Sequence, residues 1–110
     1  MLKKNPYIEI NSIKIGVDYP PYLIAEMSAN HNGSIEQAFK IISSAKENGA
    51  DAVKLQTYKP DTITLNLRSN EFMLEEGLWE GRSLFDLYEE AHTPWEWHKD
   101  LFNYAKDLDI

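Results

Sequence analysis

Between Tyr22 and Tyr58 the chain changes its hydrophobic period twice, from a short apolar run to a helical stripe and back, and few architectures accommodate that. Tyr22-Leu23-Ile24-Ala25-Glu26 is almost continuously apolar until its closing acid. Runs of this kind belong to parallel sheets covered on both faces. Ser34 is a good helix N-cap, and Gln37 stands where it completes a capping box. Ile35, Ala38, Phe39, Ile42 and Ala45 then recur at helical spacing along one stripe. Lys46 falls in the last turn and Gly49 where a left-handed cap is needed. Asp51 to Tyr58 reads as a second strand. Strand, helix and strand at this spacing predict a βαβ unit, parallel and right-handed.

The second strand holds an oddity. With a period of two, Ala52, Lys54 and Gln56 share one face, and Val53, Leu55 and Thr57 the other. Lysine is almost never fully buried unless paired, so an inward Lys54 implies a ligand or a partner charge. An edge strand with Lys54 in water is the plain alternative. In parallel α/β folds ligands collect at the carboxyl ends of the strands. Glu26 closes the first strand there, the loop Met27 to Gly33 with Asn30, His31 and Asn32 follows it, and Lys54 and Gln56 close the second. Adjacent parallel strands lie roughly 4.8 Å apart, which brings Glu26 within salt-bridge or shared-ligand range of Lys54. A lysine offers a fixed positive charge to phosphate or carboxylate. A glutamine offers donor and acceptor to hydroxyls or amides, and a glutamate accepts a proton or holds a hydroxyl. The same residues have plainer readings: a structural Glu26–Lys54 ion pair, a loop histidine capping its neighbours, and an ordinary turn at Asn32-Gly33.

The flanking segments read more simply. Residues 5–16 predict a hairpin in which Tyr7 to Ile10 and Ile13 to Ile15 alternate about an Asn11-Ser12 turn, with Glu9 and Lys14 toward solvent. Val17-Asp18-Tyr19-Pro20-Pro21 is an extended linker. A long connection over 61–82 is expected to be ordered, because it carries Phe72, Met73, Leu74, Leu78 and Trp79, with one helical turn between Glu71 and Gly81. Ser83 with Asp86 caps a short helix bearing Leu84, Leu87, Tyr88 and Ala91 on one side. Thr93 as N-cap, Pro94 at the first helical position and Glu96 at the third predict a last helix to about Leu108, with Trp97, Leu101, Phe102 and Ala105 toward the core. Trp95, Trp97 and His98 read as packing residues, and Arg82 stays unassigned. A two-stranded parallel sheet leaves apolar faces that need further cover. The expected organisation is therefore α/β: a hairpin over 1–16, then 17–110 as the incomplete front part of a larger domain.

Composition removes several classes of function. A net charge of −7 opposes a nucleic-acid backbone as partner. The absence of cysteine excludes disulfides, thiolate catalysis and cysteine-ligated metals. No apolar run approaches the roughly 20 residues that cross a bilayer, and Met1 to Lys4 is too short and polar for a signal peptide, so the expectation is a cytoplasmic protein without a membrane partner.

Ile24-Ala25-Glu26, Asn30-His31-Asn32-Gly33-Ser34 and Gly49-Ala50-Asp51-Ala52-Val53-Lys54-Leu55-Gln56-Thr57 together resemble the N-terminal part of the sialic acid synthase family. Leu78-Trp79-Glu80-Gly81-Arg82-Ser83-Leu84 and Tyr88 to His98 look more like its pseudaminic acid synthase branch. The resemblance implies the first portion of a (β/α)8 TIM barrel that condenses phosphoenolpyruvate with an N-acetylated amino sugar. It implies a divalent metal, manganese or magnesium, whose ligands lie outside this chain, and a homodimer. Lys54 would bind the phosphate or carboxylate of phosphoenolpyruvate, Gln56 the sugar, and Glu26 would line the reacting carbonyl. Asn30, His31 and Asn32 would shape the pocket mouth. Where relatives carry a sugar-contacting asparagine this chain reads Gly81-Arg82-Ser83, and Asp109 replaces a glycine usual before the next strand. The fragment by itself is expected to be inactive. Two other readings remain: a non-catalytic, self-associating α/β unit, and a barrel enzyme of different chemistry.

Overall fold

The computed structural model describes residues 5–110; Met1 to Lys4, which the expected hairpin unit 1–16 includes, lie outside the described residues. β1 (Ile8–Ile10) and β2 (Ile13–Ile15) pair antiparallel, Ile8 opposite Ile15 and Ile10 opposite Ile13. Asn11 and Ser12 both take left-handed φ, 47° and 66°, the turn whose twist matches the two strands it joins. Lys14, expected only to face solvent, also lies 5.0 Å above the Tyr7 ring and 5.8 Å above the Tyr19 ring.

β3 (Ile24–Glu26), α1 (Ile35–Glu47) and β4 (Ala52–Lys54) form the expected strand–helix–strand unit with parallel strands. The register opposes Ile24 to Ala52, Ala25 to Val53 and Glu26 to Lys54. The Asp51 carboxylate accepts the Leu23 N–H at 2.7 Å and locks the start of the ladder. Both strands are shorter than 22–26 and 51–58. Met27 still donates to the Lys54 carbonyl, at 3.1 Å, but the chain then turns away and leaves Leu55 to Tyr58 without a ladder partner in β3. The Gln56 carbonyl accepts instead from Thr93 N–H at 2.8 Å.

Ser34 caps α1 by accepting from Gln37 N–H at 3.2 Å, while its hydroxyl donates to the Glu36 carboxylate rather than pairing with the Gln37 side chain. At the other end Ala50 N–H reaches the Ala45 carbonyl and Gly49 N–H the Lys46 carbonyl, with Gly49 at φ 86°. This is a Schellman closure, and it needs the left-handed residue that glycine provides.

Downstream, 3₁₀ turns at Pro60–Thr62 and Asn70–Phe72 and an antiparallel bridge between Met73 and Ser83 organise the long connection. The helical turn expected between Glu71 and Gly81 is the 3₁₀ turn at Asn70–Phe72, at the very start of that stretch, and the rest is the closed loop. Positive φ at Gly77 and Gly81 interrupts any helix there. α2 (Leu84–Ala91) is capped by Ser83 as expected. α3 (His98–Asp107) is preceded by a 3₁₀ turn at Trp95–Trp97, and Thr93 is not its cap. Thr93 is drawn to the end of β4 by its bond to Gln56, and extended Pro94 separates it from the helical segment.

Met27, Ala38, Ile42 and Leu101 are the fully buried hydrophobic side chains among the described residues, lying between α1 and α3. Val53, Leu55, Trp97, Tyr104 and Ala105 pack around them half-buried. Phe102, expected inward, is 65% exposed, and Leu23 and Ile24 are more than half exposed. Ile24, Glu26 and Lys54, which share one face of the sheet, are all exposed.

Candidate functional site

The parallel register does the decisive work, setting Glu26 directly opposite Lys54 at the carboxyl ends of β3 and β4. Lys54 Nζ donates to Glu26 Oε1 at 3.1 Å. The two side chains are 57% and 50% exposed, so Lys54 is not the buried lysine its strand position suggested. It projects from the exposed face it shares with Ile24 and Glu26. A pair this exposed contributes about 0–1 kcal/mol to stability, which leaves its ammonium open to an anionic ligand at little cost to the fold.

The loop after β3 is tied to the same edge. Asn30 donates to the Met27 carbonyl through both its backbone N–H, at 3.1 Å, and its side-chain Nδ2, at 2.9 Å. Asn32 and Gly33 follow with left-handed φ of 48° and 72°. Asn30 and Asn32 are exposed, whereas His31 between them is 1% exposed. Its ring turns inward, edge-on to Trp97 with centroids 5.2 Å apart, and its Nδ1 accepts the Gly33 N–H at 3.0 Å. Burial holds the His31 imidazole below the ordinary histidine value, against the smaller upward pull of the Ala91 carbonyl. The structure thus brings Glu26 and Lys54 together at one edge, and the loop with Asn30, His31 and Asn32 leaves β3 from there. Gln56 lies just beyond Lys54, half-buried.

Other residues near Gln56 carried no motif in the sequence. Tyr58 meets Tyr88 edge-on at 5.8 Å and His92 at 6.2 Å. Burial first, then Tyr88, pushes the Tyr58 phenol up. His92 donates from Nδ1 to the Glu89 carbonyl at 2.7 Å. His98 likewise uses Nδ1 on the Pro94 and Trp95 carbonyls, so its Nε2 accepts from the Thr57 hydroxyl. Only the aromatic character of 58 and 88 signals this cluster, and aromatics in a helix or strand read first as core. Arg82 binds Glu90 at 2.5 Å and lies 5.4 Å from the Trp79 ring, which makes it an anchor of the long loop on α2.

Among the described residues no three His, Asp or Glu side chains gather closely enough to hold a metal ion. Each histidine has at least one ring nitrogen in a local hydrogen bond, while the buried His31 Nε2 has no partner among the described residues. A concavity of 390 Å³ is lined by Ala52, Val53, Leu55, Leu101 and Phe102. It includes none of Glu26, Lys54 or Gln56. No helix among the described residues is long and apolar enough to cross a membrane.

Residues 41–110, which carry β4 with Lys54 and Gln56, match the model of the NeuB family. This chain belongs to the NeuB family. It is 51% identical over 93 residues to the pseudaminic acid synthase of Campylobacter jejuni, covering 84% of this chain and 27% of that protein. It is 46% identical over 91 residues to the pseudaminic acid synthase of Helicobacter pylori, covering 83% and 27%. The structure superposes on that of the N-acetylneuraminic acid synthetase of Leptospira borgpetersenii with a TM-score of 0.73 at 24% identity, over 96% of this chain and 32% of the other. The family chain described here therefore spans about a quarter of the length of its curated relatives, 27% in both cases.

Proposed function

We propose that this chain is the N-terminal portion of a nonulosonic acid synthase that condenses phosphoenolpyruvate with an N-acetylated amino sugar, and that its βαβ unit forms the first two strands of a (β/α)8 barrel. The observation that carries the reading is the Glu26–Lys54 juxtaposition, a solvent-accessible ammonium 3.1 Å from a carboxylate at the ligand end of a parallel pair. Family membership and the similarity to two pseudaminic acid synthases support it.

In this reading Lys54 holds the phosphate or carboxylate of phosphoenolpyruvate as a fixed positive charge. C3 of phosphoenolpyruvate forms a bond to the aldehyde carbon of the sugar, whose oxygen takes up a proton. Glu26 lines that carbonyl, where a carboxylate can hold or relay the proton. Water then adds at C2, the C2–O bond to phosphorus breaks, and inorganic phosphate leaves. Gln56 offers its amide to the sugar, and Asn30 and Asn32 border the mouth. Lys54→Ala in the complete protein that carries this segment is expected to lower synthase turnover by about a hundredfold or more, the scale of losing one preorganised charge at a reacting centre. Wild-type turnover in that variant would overturn the assignment.

A further inference from the structure

His31 is a buried titratable group that the proposed chemistry does not use. It sits between two exposed asparagines at the site's edge, yet its own ring is 1% exposed. Because Nδ1 accepts the Gly33 N–H, the ring proton resides on Nε2 and the imidazole is neutral. That bond closes the turn in which Asn32 and Gly33 adopt left-handed φ. On its other side the ring packs against Trp97, at the start of the α3 segment. The same region is bound to the end of β4 through Thr93 N–H and the Gln56 carbonyl. The ring therefore lies where the loop after β3 meets the segment joining α2 to α3.

We infer that His31 is a positioning residue for the site: its buried, neutral ring holds the turn that carries Asn30 and Asn32 beside the Glu26–Lys54 edge and ties that turn to the α2–α3 segment. The inference rests on the reading of this edge as a substrate site. Protonation undoes the arrangement, because an imidazolium presents Nδ1–H against the Gly33 N–H and buries a charge without a counter-ion. The loop from Met27 to Gly33 has no other ionisable side chain, and Trp97 has none. His92, after α2, is the titratable neighbour that bears on the ring, and a charge there opposes protonation of His31.

Two variants of the complete protein test this. H31N keeps an acceptor near the Nδ1 position and cannot titrate; H31L keeps bulk and removes the acceptor. H31L is expected to raise the KM for the sugar about tenfold at every pH while kcat changes less, the signature of lost binding geometry. H31N is expected to bring KM back to within about threefold of wild type. It should also lack the rise in KM expected of the wild type below 6.5, the ordinary histidine value. An unchanged KM in H31L, equal losses in both variants, or an acid-side rise that persists in H31N would each overturn the inference. A ¹⁵N titration of the wild-type protein keeps the two readings separable. His31 should titrate below 6.5 with the Gly33 amide following it, whether or not the protein makes a sugar acid. If Gly33 does not follow, the positioning role is wrong. If it does follow and the complete protein lacks synthase activity, the substrate reading fails instead.

Discussion

Asp109 shows how a single residue can keep a fold at a small loss of stability. It stands at the end of α3 with φ 59°, where Ile110 N–H reaches the Ala105 carbonyl and Asp109 N–H the Lys106 carbonyl. Gly49 makes the same closure after α1, with the residue that left-handed backbone favours. An L residue with a Cβ is strained in that region, so Asp109→Gly should stabilise the chain by about 1 kcal/mol, measured as a higher denaturation midpoint. The contact from Lys46 Nζ is to the Asp109 backbone carbonyl and survives the change. A lower midpoint would show that the aspartate side chain contributes more than its backbone strain removes. The substitution of a usual glycine at this position was visible in the sequence. Its left-handed φ and its sign for stability were not, because they follow from how α3 ends.

Between elements, the long connection is held to α2 by charge. Arg68 grips Asp86 with two hydrogen bonds, at 2.5 and 3.1 Å, and Arg82 binds Glu90. The Arg68 guanidinium, and then the Ser83 hydroxyl, hold the Asp86 carboxyl below the ordinary aspartate value of 3.8. A carboxyl lowered on folding contributes stability that is present above 3.8 and lost as the pH falls through its lower folded value. Arg68→Ala should move the Asp86 midpoint in a ¹³C carboxyl titration back toward 3.8 and loosen the loop, seen as faster amide exchange between 61 and 82. An unmoved midpoint would assign the effect to Ser83. The Ser83 and Ser34 caps were legible because they are local: one side-chain oxygen a fixed number of residues ahead of a helical stripe. The Thr93 cap failed because a distant partner, the Gln56 carbonyl, draws Thr93 to the end of β4. The helical turn expected between Glu71 and Gly81 stops at Phe72 because Met73 pairs with Ser83.

Across the whole molecule the core is thin. Met27, Ala38, Ile42 and Leu101 are its fully buried hydrophobic members among the described residues, while Leu23, Ile24 and Phe102 lie open. The radius of gyration is 18.2 Å, against about 13 Å for a compact chain of this length. Removing a buried leucine costs about 2–5 kcal/mol, and a core this small leaves little to spare. Leu101→Ala should therefore abolish the cooperative thermal transition of this chain, followed by near-ultraviolet circular dichroism. A transition that merely shifts by a few degrees would mean that the half-buried shell of Val53, Trp97 and Tyr104 carries more of the stability than its exposure suggests.

Periodicity and capping are properties of neighbouring residues, and they alone determined the hairpin, α1, the parallel pairing of its flanking strands and the meeting of Glu26 with Lys54. The tertiary structure decided how far each strand runs, because a ladder lasts only as long as its partner stays alongside, and β3 leaves β4 after Met27. It also decided which side chains are covered. Lys54, read as an inward lysine, stands half in water on the exposed face it shares with Ile24 and Glu26, while His31, read as a loop residue at the mouth, is sealed beneath Trp97. Burial depends on residues far away in the chain, and no local pattern encodes it.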